Sequence, residues 1–127
     1  MPLPEKLLYI SIGTIVCACA RYLLSNYVAK QAFSAFPLGT LLINVTGSML
    51  LGFFLILATE KLFVGDRWRM LVAVGFCGSY TTFSSYAFES FALMEQGQWM
   101  QVTLNVIGSN LLCLASVAIG AALARWI

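Results

Sequence analysis

This sequence contains no histidine. Metal centres and general-base sites most often draw on imidazole, so both lose their commonest ligand and proton carrier. Charge is nearly as scarce: Lys and Arg number 7, Asp and Glu 5, together 9% of 127 residues. A soluble domain carries roughly a quarter charged residues. So few charges cannot cover a small globule in water, and a scattered net charge of +2 makes no nucleic-acid patch. The cysteines, Cys17, Cys19, Cys77 and Cys113, lie inside apolar runs without zinc-type spacing and read as small packing residues. No low-complexity segment occurs. Met1 to Lys6 holds one lysine, and the apolar run after it is too long for a secretory signal core, so a cleaved leader is not expected.

What the chain does have is apolar length: 61% of its residues are hydrophobic. A helix crossing the hydrocarbon core of a bilayer needs about 20 mainly apolar residues. Four spans are predicted, at about 7–28, 38–58, 70–94 and 100–125, which consume the chain and leave one all-α transmembrane domain over 1–127. A short loop, Ala32 to Pro37, joins the first two, and Pro37 suits the first turn of a helix. Glu60-Lys61 and Asp66-Arg67-Trp68-Arg69 form a polar loop before the third span, and Glu95-Gln96-Gly97-Gln98-Trp99 precedes the fourth. Trp68, Trp99 and Trp126 fall at span ends, where interfacial aromatics belong. Four spans put both termini on one side with Lys6, Lys61, Arg67, Arg69 and Arg125, against Lys30 and Arg21 on or near the other. That count favours cytoplasmic termini.

Polar groups inside spans are costly in lipid and mark candidate sites. In the second span Thr40, Asn44, Ser48 and Gly52 recur every four residues and share a face. Asn105, Ser109 and Cys113 do the same in the fourth, with Asn110 one step round. Each stripe either bonds neighbouring helices, the usual role of such residues in membranes, or lines a polar pathway. The third span carries Gly75-Phe76-Cys77-Gly78-Ser79-Tyr80-Thr81-Thr82-Phe83-Ser84-Ser85-Tyr86, a run of glycine and hydroxyl side chains that weakens a regular helix. A break there is tolerated only where protein or a wet cavity receives the freed backbone. Inward-pointing carbonyls would then be free to coordinate a cation.

Arg21 and Glu89 are the only charges well inside predicted spans. Arg21 either snorkels to the interface or attracts anions at a vestibule. Glu89, two turns beyond the glycines, is available to pair with a cation or with Arg21. The remaining polar inventory is neutral: the amides of Asn44, Asn105 and Asn110, and many hydroxyls. Such donors suit an anion shedding its hydration shell. Phe83 and Tyr86, three apart, share a helix face. Their ring edges would meet an anion, their faces a cation.

Three motifs then carry a resemblance. Pro37-Leu38-Gly39-Thr40-Leu41-Leu42-Ile43-Asn44-Val45-Thr46-Gly47-Ser48, with Gly52, resembles the second-helix signature of the Fluc (CrcB-type) fluoride channels. Gly75 to Ser85 resembles that family's third-helix signature, and Gly13 to Tyr22 its first. Length, span count and motif order agree over the whole chain. The resemblance implies a fluoride-selective channel in the bacterial inner membrane that lets fluoride leave the cytoplasm passively. It implies an antiparallel, dual-topology homodimer with two pores, the third helix broken near its middle, and a structural sodium ion at the dimer interface. Carried over by position, Asn44 would donate to fluoride and Phe83 would offer its ring edge. Tyr86 stands where the family usually has a second phenylalanine. Thr40, Ser84, Ser109 and Asn105 would accompany them along the pore, although Asn105 and Cys113 depart from the tyrosine and hydroxyl expected on the fourth-helix track. Arg21 would sit at a vestibule and Glu89 at a pore end, and the backbone carbonyls of Gly78 and Thr81 would bind sodium.

Other classes fit less well. A small multidrug-type proton-coupled exporter also has four short helices, but it needs a carboxylate in the first, and no acid lies between Leu7 and Val28. A purely structural subunit would use the stripes only to hold helices together and would pass no ion. An intramembrane enzyme is not expected, since no Ser/Lys or Asp/Asp pair lies within the spans.

Overall fold

The computed structural model describes residues 1–31, 35–61 and 64–127, and every regular element among them is helical. Of the loop expected at Ala32 to Pro37, residues 32–34 lie outside the described residues. Three helices are long and apolar enough to cross a membrane: α1 (Leu3–Gln31), α2 (Leu38–Lys61) and α5 (Trp99–Trp126). They match the first, second and fourth predicted spans, extended by a few residues at polar ends. Glu5 lies in the first turn of α1 and Lys30 in its last, each opposing the partial charge of the helix end it occupies. Pro37 stands just before α2 rather than inside it, and its carbonyl accepts the first ladder bond, from the Leu41 amide at 3.1 Å.

The predicted third span has a different form. Residues 66–80 (α3) are helical, Thr81 and Thr82 are extended, with ψ of 148° and 106°, and Phe83–Glu95 (α4) is helical again. Thr82 caps the new helix, its hydroxyl oxygen accepting from the Ser85 amide at 3.3 Å. A tight turn joins α4 to α5 through Gly97, whose φ of 68° favours glycine.

Several turns are widened to π geometry: Leu57–Lys61 at the end of α2, Arg69–Cys77 in α3 and Leu104–Gly108 in α5. Each inserts the equivalent of one residue into the helical register and rotates the face that follows.

Two close crossings hold the chain together, α1 against α3 and α2 against α5. Apolar side chains gain little by leaving lipid for protein, so packing depends on how near the backbones come. Small residues set that distance. A Cβ on Gly13 would collide with the Leu71 carbonyl, and one on Gly75 would lie 2.7 Å from the Ile10 carbonyl. In the second crossing Gly52 faces the Val117 carbonyl and Gly120 the Met49 carbonyl in the same reciprocal way. Between the crossings Cys17, Ile43 and Tyr80 form a buried cluster flanked by Ala20, Leu24 and Phe76. Outward, large apolar side chains such as Leu23, Phe88 and Leu114 are exposed by about two-thirds or more, a surface made for lipid or for another subunit. Trp68, Trp99 and Trp126 are exposed at helix ends, as expected of interfacial anchors.

Candidate functional site

The extended pair Thr81–Thr82 rests on Asn44 of α2. The Asn44 Nδ2 donates to the Thr82 carbonyl at 3.2 Å, and the Thr82 amide donates to Asn44 Oδ1 at 2.8 Å. One side chain thus satisfies both backbone groups of a residue that no helix serves. The arrangement has a consequence for two carbonyls. In an uninterrupted α-helix the Thr82 amide would close onto the Gly78 carbonyl, but here it goes to Asn44. The Ser85 amide would close onto the Thr81 carbonyl, but it goes to the Thr82 hydroxyl. Ser79 and Tyr80 lose their helical donors in the same way, so Gly78 and Thr81 are two of four carbonyls that the interruption leaves without one, and Arg21 approaches that of Ser79.

Beside this interruption lies a cavity of about 270 Å³ between α2, α4 and α5. Asn44 and Ser48 line it from α2, Thr81 to Phe83 and Tyr86 from the interruption and α4. Ser109, Asn110 and Cys113 line it from α5, with Leu51 and Val117 at its apolar end. Phe83 and Tyr86 share a face as their spacing predicts, with ring centroids 5.4 Å apart and planes tilted by 48°. Phe83 is 77% exposed, so its ring is open to whatever adjoins the chain there. The Tyr86 hydroxyl oxygen accepts from Asn110 Nδ2 at 3.2 Å.

Other candidate residues lie elsewhere. Asn105 is buried to 1% exposure; its Nδ2 donates to the Ser90 hydroxyl at 2.9 Å, and its Oδ1 accepts from Ser109 at 3.1 Å. It backs Ser109 instead of lining the cavity. Ser90 of α4 covers Asn105, while Asn110, three residues before Cys113 in the regular helix that follows, reaches the cavity beside it. Asn110 was legible as a donor one step round the helix, but regular four-residue spacing gave no signal that it would line the cavity. Ser84 is exposed and does not line this cavity. Thr40 donates to Glu89 Oε1 at 2.8 Å, and both line a separate cavity of about 350 Å³ near Ser25, Asn26 and Pro37. Glu89 Oε2 is buried with no partner among the described residues. Arg21 approaches the Ser79 carbonyl at 3.5 Å, on a polar patch where the Thr14 and Ser79 hydroxyls lie 3.1 Å apart. Arg21 and Glu89 form no ion pair with each other among the described residues.

Long apolar helices define a multi-pass membrane protein, and beside its interrupted segment an open, largely apolar cavity carries Asn, Ser, Thr and Tyr side chains. Residues 8–121 match the family described as CrcB-like protein, Camphor Resistance (CrcB), and the chain belongs to that family. Among its relatives, a protein of Koribacter versatilis named fluoride-specific ion channel FluC is 55% identical, over 95% of this chain and 96% of its own length. Proteins of the same name from Roseiflexus sp. and Sulfurihydrogenibium sp. are 42% and 44% identical, the first over 94% of this chain and 97% of its own length, the second over 95% and 98%.

Proposed function

We propose that this chain forms a fluoride-selective channel through which fluoride leaves the cell down its gradient, limiting fluoride toxicity. The observation that carries this reading is 55% identity, over 95% of the chain, to a relative named for that activity. The cavity agrees with it. A small anion must exchange its hydration shell for hydrogen-bond donors, and neutral donors can do so without trapping it. Asn44 keeps one amide hydrogen after bonding Thr82. Phe83 offers a positive ring edge. Ser109 lines the same cavity from α5, its hydroxyl hydrogen held by Asn105 Oδ1. Thr40 and Glu89 mark one pore end and Arg21 a vestibule, while the exposed Ser84 belongs to the pore only where a second subunit adjoins it.

The assembly we infer is an antiparallel homodimer of single-domain, dual-topology subunits in the bacterial inner membrane. Each has four spans, the third made of α3 and α4 with the interruption near mid-membrane. The unserved carbonyls of Gly78 and Thr81 suit sodium, a hard cation that prefers oxygen ligands. Contributed by both subunits, they would hold the ion at the dimer interface. Its charge would offset the converging carbonyl dipoles and tie the subunits together. A proton-coupled exporter is not favoured, since α1 has no acid between Leu7 and Val28.

The test is fluoride efflux from liposomes holding the purified protein, with chloride as comparison and Asn44→Ala as control. Fluoride efflux well above chloride, lost in the variant, is expected. Absent flux, or chloride flux equal to fluoride, would refute the channel.

A further inference from the structure

The hydrogen bonds around the main cavity divide its donors into committed and free. Both hydrogens of the Asn110 amide are used, one on the Val106 carbonyl at 2.7 Å and one on the Tyr86 hydroxyl oxygen at 3.2 Å. The Thr82 hydroxyl donates to Ser85 and the Ser109 hydroxyl to Asn105. Tyr86 differs from these. Its oxygen acts as acceptor toward Asn110, and among the described residues its own hydrogen meets no acceptor. A phenol has one hydrogen to give, and an amide hydrogen on its lone pair fixes where that hydrogen points. Asn110 is itself held, because its second bond returns to its own helix one turn back.

We propose that the Tyr86 hydroxyl donates directly to the permeating anion, and that Asn110 is the positioning residue that aims it. The inference rests on the channel reading above and adds a specificity-determining contact to it. The phenol offers a small anion of high charge density a charge-assisted hydrogen bond, which is stronger than a neutral one. The Phe83 ring, 5.4 Å away between centroids, stands beside the same point of the cavity. An anion passing Phe83 is therefore handed to a hydroxyl.

The experiment measures fluoride efflux from liposomes against fluoride concentration for wild type, Tyr86→Phe, Asn110→Ala and the double variant. Tyr86→Phe removes one oxygen and keeps the ring, so it is expected to fold, and its flux is read over the whole concentration range. Its half-saturating concentration is expected to rise about tenfold or more, the size of one hydrogen bond to a charged group. Asn110→Ala shifts that concentration in the same direction, and adds nothing in the Tyr86→Phe background. A general loss of helix packing would instead lower the yield of folded protein and the maximal flux in both backgrounds. An unchanged half-saturation in Tyr86→Phe overturns the proposal, whether or not Asn110→Ala folds. An Asn110→Ala shift of equal size in both backgrounds overturns the positioning role. Wild-type protein that passes no fluoride would sink the channel reading itself, a distinct result.

Discussion

Asn44 commits both ends of its amide to Thr82, so its removal acts through the backbone as well as through any anion. Asn44→Ala leaves an amide and a carbonyl of Thr82 unserved in a buried place, at about 1–3 kcal/mol for each such group. The variant is expected to unfold at lower temperature in detergent, besides losing flux. Flux loss with unchanged thermal stability would show that the clamp on Thr82 contributes nothing to folding. Thr82 itself is a helix cap, and Thr82→Ala is expected to cost about 1 kcal/mol while Thr82→Ser costs much less. Equal losses in the two would mean that the hydroxyl oxygen is not the cause. Much at this scale was readable from type and spacing alone. Asn44, Phe83, Tyr86 and Ser109 line one cavity, with Phe83 largely exposed at its edge. Asn105 and Asn110 are harder, because which of two amides faces a cavity depends on what the neighbouring helix covers. Ser90 of α4 covers Asn105, and spacing within one helix carries no mark of its neighbour.

At the scale of elements, the long apolar runs located α1, α2 and α5 to within a few residues, and tryptophans marked their ends. The glycines and hydroxyls of the third segment pointed to weak helix, and the two extended residues fall inside that run, at Thr81 and Thr82. The pairing of α1 with α3 and of α2 with α5 was not legible, since many small residues could have served as contact points. It follows from where glycine meets a carbonyl across a crossing. Gly120→Ala forces a methyl group onto the Met49 carbonyl and must push α2 from α5, at about 1–3 kcal/mol. Gly108→Ala, on the same helix, meets nothing within 4 Å in the chain and is expected to change stability by less than about 0.5 kcal/mol. Thermal denaturation of both variants in one detergent would compare them. Similar melting points would mean that the α2–α5 crossing does not depend on close backbone approach.

At the scale of the whole molecule, the charged residues and the inferred dimer bear oppositely on orientation in the membrane. The termini share an end with Lys6, Lys61, Arg67, Arg69 and Arg125, which favours one insertion direction. The inferred antiparallel dimer needs both. On the chain, Arg67 pairs with Glu5 at 2.8 Å and Arg125 with Glu60 at 2.9 Å, both at that same end. Pairing leaves Lys6, Lys61 and Arg69 without an ion-pair partner among the described residues, a modest excess over Lys30 and Arg21. Acids weigh little in the insertion rule, so the pairs narrow the bias without abolishing it. Tags on the termini, probed from one side of sealed cells, are therefore expected to react in part, with the remainder reacting only after permeabilisation. Complete one-sided labelling would exclude dual insertion. A charge change sharpens the test. Two lysines appended after Ile127 should drive nearly all chains into one orientation and lower fluoride flux from those membranes in proportion to the minority orientation lost. Flux that persists after labelling has become one-sided would mean that antiparallel pairing is not what builds the pore.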